Sequence, residues 1–141
     1  MIQRIQSIWL LLASSCAFLT LKLSFFSGNI LVDNQKQFVK LTAINGGFFL
    51  LVLTCCVAVG ALILIFLFKD RQLQLKIIIA MIAVAVLNIV LYFVQAGHYV
   101  PNEGNYDLSS ALSFAIPVFF ILAARNIYKD EKLVRSADRI R

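Results

Sequence analysis

The sequence is almost devoid of charge across most of its length. Residues 5–21, 41–68, 77–97 and 108–124 contain no Lys, Arg, Asp or Glu. Proton- and cation-coupled carriers keep ionisable side chains within the hydrocarbon layer. Their absence argues against a four-helix drug carrier, which needs an acid in its first span. Cysteine is scarce too, with Cys16, Cys55 and Cys56 all inside apolar stretches and no C-x-x-C pair, so thiol–disulfide exchange of the usual kind is not expected. The single histidine, His98, shares a short polar segment with Glu103 and Asp107, a common surface composition and a poor metal site. No Gly-rich phosphate loop and no Ser/His/Asp set is visible. The expectation is a non-enzyme without cofactor or metal.

What the chain does have is length in its apolar runs. It is 61% hydrophobic over 141 residues, with a mean hydropathy of +0.88, whereas soluble domains contain about 45–50% apolar residues. About 17–25 mainly apolar residues suffice for a helix to cross roughly 30 Å of hydrocarbon. Four spans are expected, at about 5–26, 42–68, 77–97 and 108–128, with a basic tail at 129–141. The intervening segments are too short to bury a core of their own. The fold class is therefore an all-α membrane protein, a single antiparallel four-helix transmembrane bundle.

The net charge of +6 follows the spans rather than suggesting nucleic acid. With the N-terminus inside, the inner side carries Arg4, Lys69, Arg71, Lys76, Arg125, Lys129, Lys132, Arg135, Arg139 and Arg141, and the outer side only Lys22, Lys36 and Lys40. Basic residues in short loops collect on the cytoplasmic side, so both termini are expected there.

Local features refine this plan. Trp9 suits the headgroup zone near the start of span one, and Lys22 is one turn from its outer end, where its stem can snorkel. Ala13-Ser14-Ser15-Cys16 faintly resembles a lipoprotein processing site, but the apolar run continues past Cys16, as a span does and a signal peptide does not. Segment 27–40 is polar, with turn formers Gly28, Asn29, Asp33 and Asn34, and is expected to carry a short helical turn on the outer face. Span two is longer than one crossing needs, so it tilts or its first turns stand proud, with Asn45, Gly46 and Gly47 marking the entrance. Ala43-x-x-x-Gly47 and Cys56-x-x-x-Gly60 are small-residue pairs of the kind that admit a neighbouring helix.

Two clusters stand out as candidate sites. Asn88 falls near the middle of span three and Pro117 near the middle of span four. A mid-helix proline frees the carbonyl four residues earlier, here that of Ser113, and in a membrane that group needs another partner. The Asn88 amide is one candidate and the Ser113 hydroxyl the other. The tail is the second cluster. Arg125, Lys129, Lys132, Arg135, Arg139 and Arg141 lie on an expected helical extension of span four, with Leu133, Ala137 and Ile140 on one face and Glu131–Arg135 as an i,i+4 pair. Near anionic headgroups each basic residue contributes on the order of 1 kcal/mol, so the tail is either a topology anchor or a docking site.

The opening Met1-Ile2-Gln3-Arg4-Ile5-Gln6-Ser7-Ile8-Trp9-Leu10-Leu11-Leu12-Ala13 and the closing Lys129-Asp130-Glu131-Lys132-Leu133-Val134-Arg135-Ser136-Ala137-Asp138-Arg139-Ile140-Arg141 resemble the two ends of a domain-of-unknown-function family of small four-span inner-membrane proteins from Bacteroidetes-type bacteria. The resemblance implies a bacterial inner membrane and carries over no functional residue. The expected function is a non-catalytic accessory or scaffold, acting through helix–helix contacts and its basic tail. Its partners would be membrane lipids and a membrane protein or a second copy. The alternative is an oligomeric transporter or lipid-handling component with a polar path past Asn88, Gln95, Ser113 and Pro117.

Overall fold

The structure, a computed structural model, describes residues 2–32, 35–67 and 70–138, with side chains described between residues 5 and 134. Its element order is α1 (Ile2–Lys22), β1 (Phe26–Val32), β2 (Gln35–Leu41), α2 (Phe48–Phe66), α3 (Arg71–Ala96), β3 (Asn105–Tyr106) and α4 (Ser110–Asp138). All four helices are long and apolar enough to cross a membrane. Helix α1 packs most extensively against α4 and then α2, while α3 contacts both α2 and α4, so the helices form a closed ring in chain order.

Small side chains make this ring tight. Ala13, Ala17, Ala58, Ala61, Ala85 and Ala123 are buried together. Small side chains let the helix backbones approach closely, which multiplies the dispersion contacts between them. The Ser14 hydroxyl adds a bond to the Ala58 carbonyl across α1 and α2, at 2.9 Å. The two expected small-residue pairs divide differently. Ala43 is buried and Gly47 exposed, while Cys56 faces outward and Gly60 packs against Met81 of α3. Cys16 is buried and Cys55 half-buried.

The all-α expectation needs one correction. Segment 27–40 is not a helical turn but most of a β-hairpin, in which β1 and β2 pair antiparallel from Phe26↔Leu41 to Val32↔Gln35. β3 adds to the other edge of β1, giving the order β2-β1-β3. Outside a helix, the polar backbone of this segment needs partners, and pairing two seven-residue strands supplies them. Phe26 and Leu41 at the base join Phe25, Ala43, Leu50, Tyr92 and Ala96 in a second buried cluster, which holds the sheet onto one end of the bundle. That end is called the sheet end below, and the opposite one the tail end.

The helix limits also move. α1 ends at Lys22, and Phe25 and Phe26 belong to the sheet junction. α2 starts after Gly47, whose φ of 109° is a backbone conformation that favours glycine. α3 starts at Arg71, six residues before the expected residue 77, because residues 71–76 extend the helix past the apolar run. α4 runs unbroken through Pro117 and on to Asp138, so span four and the start of the tail are one helix.

Candidate functional site

Three places concentrate polar chemistry. In the interior, Asn88 is 5% exposed. Its Nδ2 donates to the Thr54 hydroxyl at 3.1 Å, and Thr54 donates to the Leu50 carbonyl at 2.8 Å. The Tyr92 hydroxyl, one turn along α3, lies beside the Thr54 and Thr20 side chains and has no hydrogen-bond partner among the described residues. Thr20 spends its own hydroxyl on the Ala17 carbonyl at 2.8 Å. Asn88 thus ties α3 to α2. It makes no hydrogen bond to the Ser113 carbonyl, the partner one expectation gave it, because its amide faces Thr54 across a different helix pair. Ser113 is buried on α4 and Pro117 is half-buried. The structure therefore does not gather Asn88, Ser113 and Pro117 through Asn88.

At the sheet end, the polar residues hold the loops together. Asp107 accepts from the hydroxyls of Ser24 and Ser27, and Ser109 donates to the Ser24 carbonyl. Glu103 pairs with Lys36 and accepts from Asn29 at 3.0 Å. The Lys36 ammonium, and then the Asn29 amide, hold the Glu103 carboxyl below its ordinary range. His98 is engaged with the Val94 carbonyl at 3.1 Å. His98, Glu103 and Asp107 consequently turn to different partners. Burial pushes the Tyr99 phenol upward, in the aromatic collar where Phe26 meets Tyr99 and Tyr106 and Phe25 stacks on Tyr92 at 4.5 Å.

The tail end holds a feature that the sequence reading missed. Asp130 is only 6% exposed. It accepts from the Gln6 amide of α1, while its second oxygen has no partner among the described residues. The i, i+4, i+7 spacing of Ala123, Ile127 and Asp130 is a usable signal, since it puts Asp130 on the buried face. Gln74, also buried, donates to the Leu64 carbonyl at 2.9 Å, and Gln72 donates to Glu131 at 3.1 Å. Of the expected basic cluster, Arg125, Lys129 and Lys132 are exposed along α4. Arg135 lies in the helix beyond the described side chains, and Arg139 and Arg141 lie outside the described residues.

Between α2 and α3, near the sheet end, a half-open groove of about 430 Å³ runs from Gly46 and Gly47 past Phe49, Val52 and Leu53 to Leu87, Leu91 and Gln95. Leu87, Leu91 and Gln95 are four residues apart and so form one stripe on α3. The adjoining stripe, Asn88 and Tyr92, faces the interior.

Among curated proteins and among solved structures, nothing matches the chain. A family model does match, over residues 2–140, and it spans every element described above. The chain belongs to the DUF4293 family, a domain of unknown function.

Proposed function

We propose that this chain is a small integral protein of a bacterial inner membrane, with both termini in the cytoplasm, acting as a non-catalytic accessory or scaffold component through helix–helix contacts and its basic tail. The observation that carries the reading is the continuity of α4 from Ser110 to Asp138. It presents Arg125, Lys129 and Lys132 as exposed charges on a helix already anchored in the bundle. The partition of basic residues between the two ends supports the orientation, and the resemblance of the chain's ends supports the compartment. Exposed Leu133 and Val134 beside those charges suit contact with a partner or with the headgroup layer.

Truncation after Tyr128 tests the role of the tail. Each form, extracted in mild detergent, is compared for co-purifying membrane proteins and for orientation, by labelling a cysteine introduced at Lys36 in intact cells. Loss of a partner with orientation unchanged supports docking. Loss of orientation alone reduces the tail to an anchor. A monomer without partner in the full-length form overturns the scaffold reading. The groove between α2 and α3 favours a second reading, in which the protein handles lipid.

A further inference from the structure

The groove between α2 and α3 has a closed floor and an open mouth. Toward the tail end the two helices meet closely, since a Cβ on Gly60 would come within 2.5 Å of the Met81 methyl. Toward the sheet end the helices stay joined on their inner side by Asn88 and Thr54, and large residues line the half-open gap on the outer side, Phe49, Val52 and Leu53 from α2 and Leu87 and Leu91 from α3. Polarity appears only at the outer end. There the Gln95 amide nitrogen would be 3.7 Å from a Cβ on Gly47, and the Gln95 side chain makes no hydrogen bond to the described residues. Phe48 and Phe49 stand at the mouth, 74% and 78% exposed.

The dimensions choose among occupants. From Leu87 to Gln95 the groove runs about 12 Å at 1.5 Å per residue. Its volume of about 430 Å³ then gives a mean cross-section of roughly 36 Å², against roughly 80–110 Å² for a helix 10–12 Å across. A partner helix does not fit within it. Helix–helix seams in membranes also favour small residues, and beyond Gly46 and Gly47 at the mouth this wall is built of Leu, Val and Phe. A single flexible hydrocarbon chain matches both the section and the lining. The outward Gln95 amide matches the ester and phosphate oxygens that lie where such a chain leaves the hydrocarbon.

We infer that the groove is a binding site for one acyl chain of a membrane phospholipid, drawn from the leaflet at the sheet end, with Gln95 donating to the lipid's ester or phosphate region. The inference rests on the membrane reading of the four helices. The chain enters sideways between Phe49 and Leu87, and Gly60 against Met81 stops it from passing further toward the tail end.

The test uses the full chain in nanodiscs of phosphatidylethanolamine and phosphatidylglycerol, doped with a phosphatidylethanolamine bearing a mid-chain diazirine. Adducts are mapped by mass spectrometry after illumination. The expected result is adducts concentrated on Leu53, Leu87 and Leu91. Leu91→Trp, which fills the groove, lowers them by about tenfold, equivalent to about 1.4 kcal/mol. Adducts on the exposed Val59 and Ile79 stay unchanged. Val52→Trp, entering from the opposite wall, gives the same loss and guards against misfolding of one variant. Even labelling of all exposed α2 and α3 residues overturns the site and leaves an ordinary lipid annulus. Cross-links from groove residues to a second protein also overturn it. Release of the chain from native membranes by alkaline carbonate fails the membrane reading itself, and with it the site, a result distinguishable from even labelling.

Discussion

Asn88 on α3 and Thr54 on α2 are joined by a 3.1 Å hydrogen bond inside the bundle, and the Thr54 hydroxyl in turn donates to the Leu50 carbonyl at 2.8 Å. Thr54 therefore keeps an acceptor when Asn88 is removed, but an isolated Asn88 amide would be buried with nothing to bond. The two single variants are consequently unequal.

Thr54→Val is expected to destabilise the fold more than Asn88→Leu. Interhelical hydrogen bonds in membranes average about 0.6 kcal/mol and reach about 1.7 kcal/mol, and an orphaned buried polar group costs about 1–3 kcal/mol. Equilibrium unfolding in mixed micelles with rising dodecyl sulfate measures both variants and their double-mutant coupling. Equal effects with no coupling would show that the bond is idle.

Asp130 gives a parallel prediction at the tail end. Its carboxylate is buried and receives a bond from Gln6, so Gln6→Leu leaves it without that donor. A loss of about 1–3 kcal/mol is expected, and pairing Gln6→Leu with Asp130→Leu is expected to recover most of it, since replacing both partners by apolar groups can be near neutral. The same unfolding assay reads this recovery.

Gly60 and Gly104 separate two kinds of close contact. At Gly60 an added Cβ meets the end of the flexible Met81 side chain, so Gly60→Ala is expected to cost less than about 1 kcal/mol, and the gain in helix propensity offsets part of that. At Gly104 the added atom meets the buried Phe26 ring, and overpacking there costs about 1–3 kcal/mol. Protease sensitivity of the hairpin should rise in Gly104→Ala and not in Gly60→Ala.

The Glu103–Lys36 pair predicts acid sensitivity of the hairpin. The Glu103 pKa is lower in the fold than in the free chain, so its contribution to stability is present above the ordinary carboxylate value of about 4.3. That contribution fades as pH falls through the lower folded value. Amide shifts of β1 and β2 followed by NMR should change only in that acid window. Glu103→Gln should abolish the change, since Gln keeps the shape without the titration.

The four helices are legible because segments long and apolar enough to cross a membrane show directly in residue order. The sheet was less so, although the signal was present. Ile30-Leu31-Val32 and Gln37-Phe38-Val39 flank Asp33-Asn34, two strand-forming runs about a short turn. The turn formers by themselves fit a loop with a helical turn, and only together with the flanking β-branched and aromatic residues do they specify a hairpin. Pro117 misled in the opposite direction. It pointed to Asn88 as a capping partner, whereas Asn88's partner, Thr54, lies in an apolar run where a threonine is unremarkable. The groove is invisible to periodicity alone, since it depends on how the outer sides of α2 and α3 pack together and not only on which residues face outward.

The unbroken course of α4 has a mechanical consequence. At about 1.5 Å per residue, its 29 residues make a rod of about 43 Å, longer than the hydrocarbon layer, with Lys132 about 10 Å further along than Arg125. Anything that grips those charges takes hold of a lever rather than a leash. A sideways pull on it is felt by α1 through Gln6 and by α3 through Gln72, so force applied outside the bundle becomes a tilt within it.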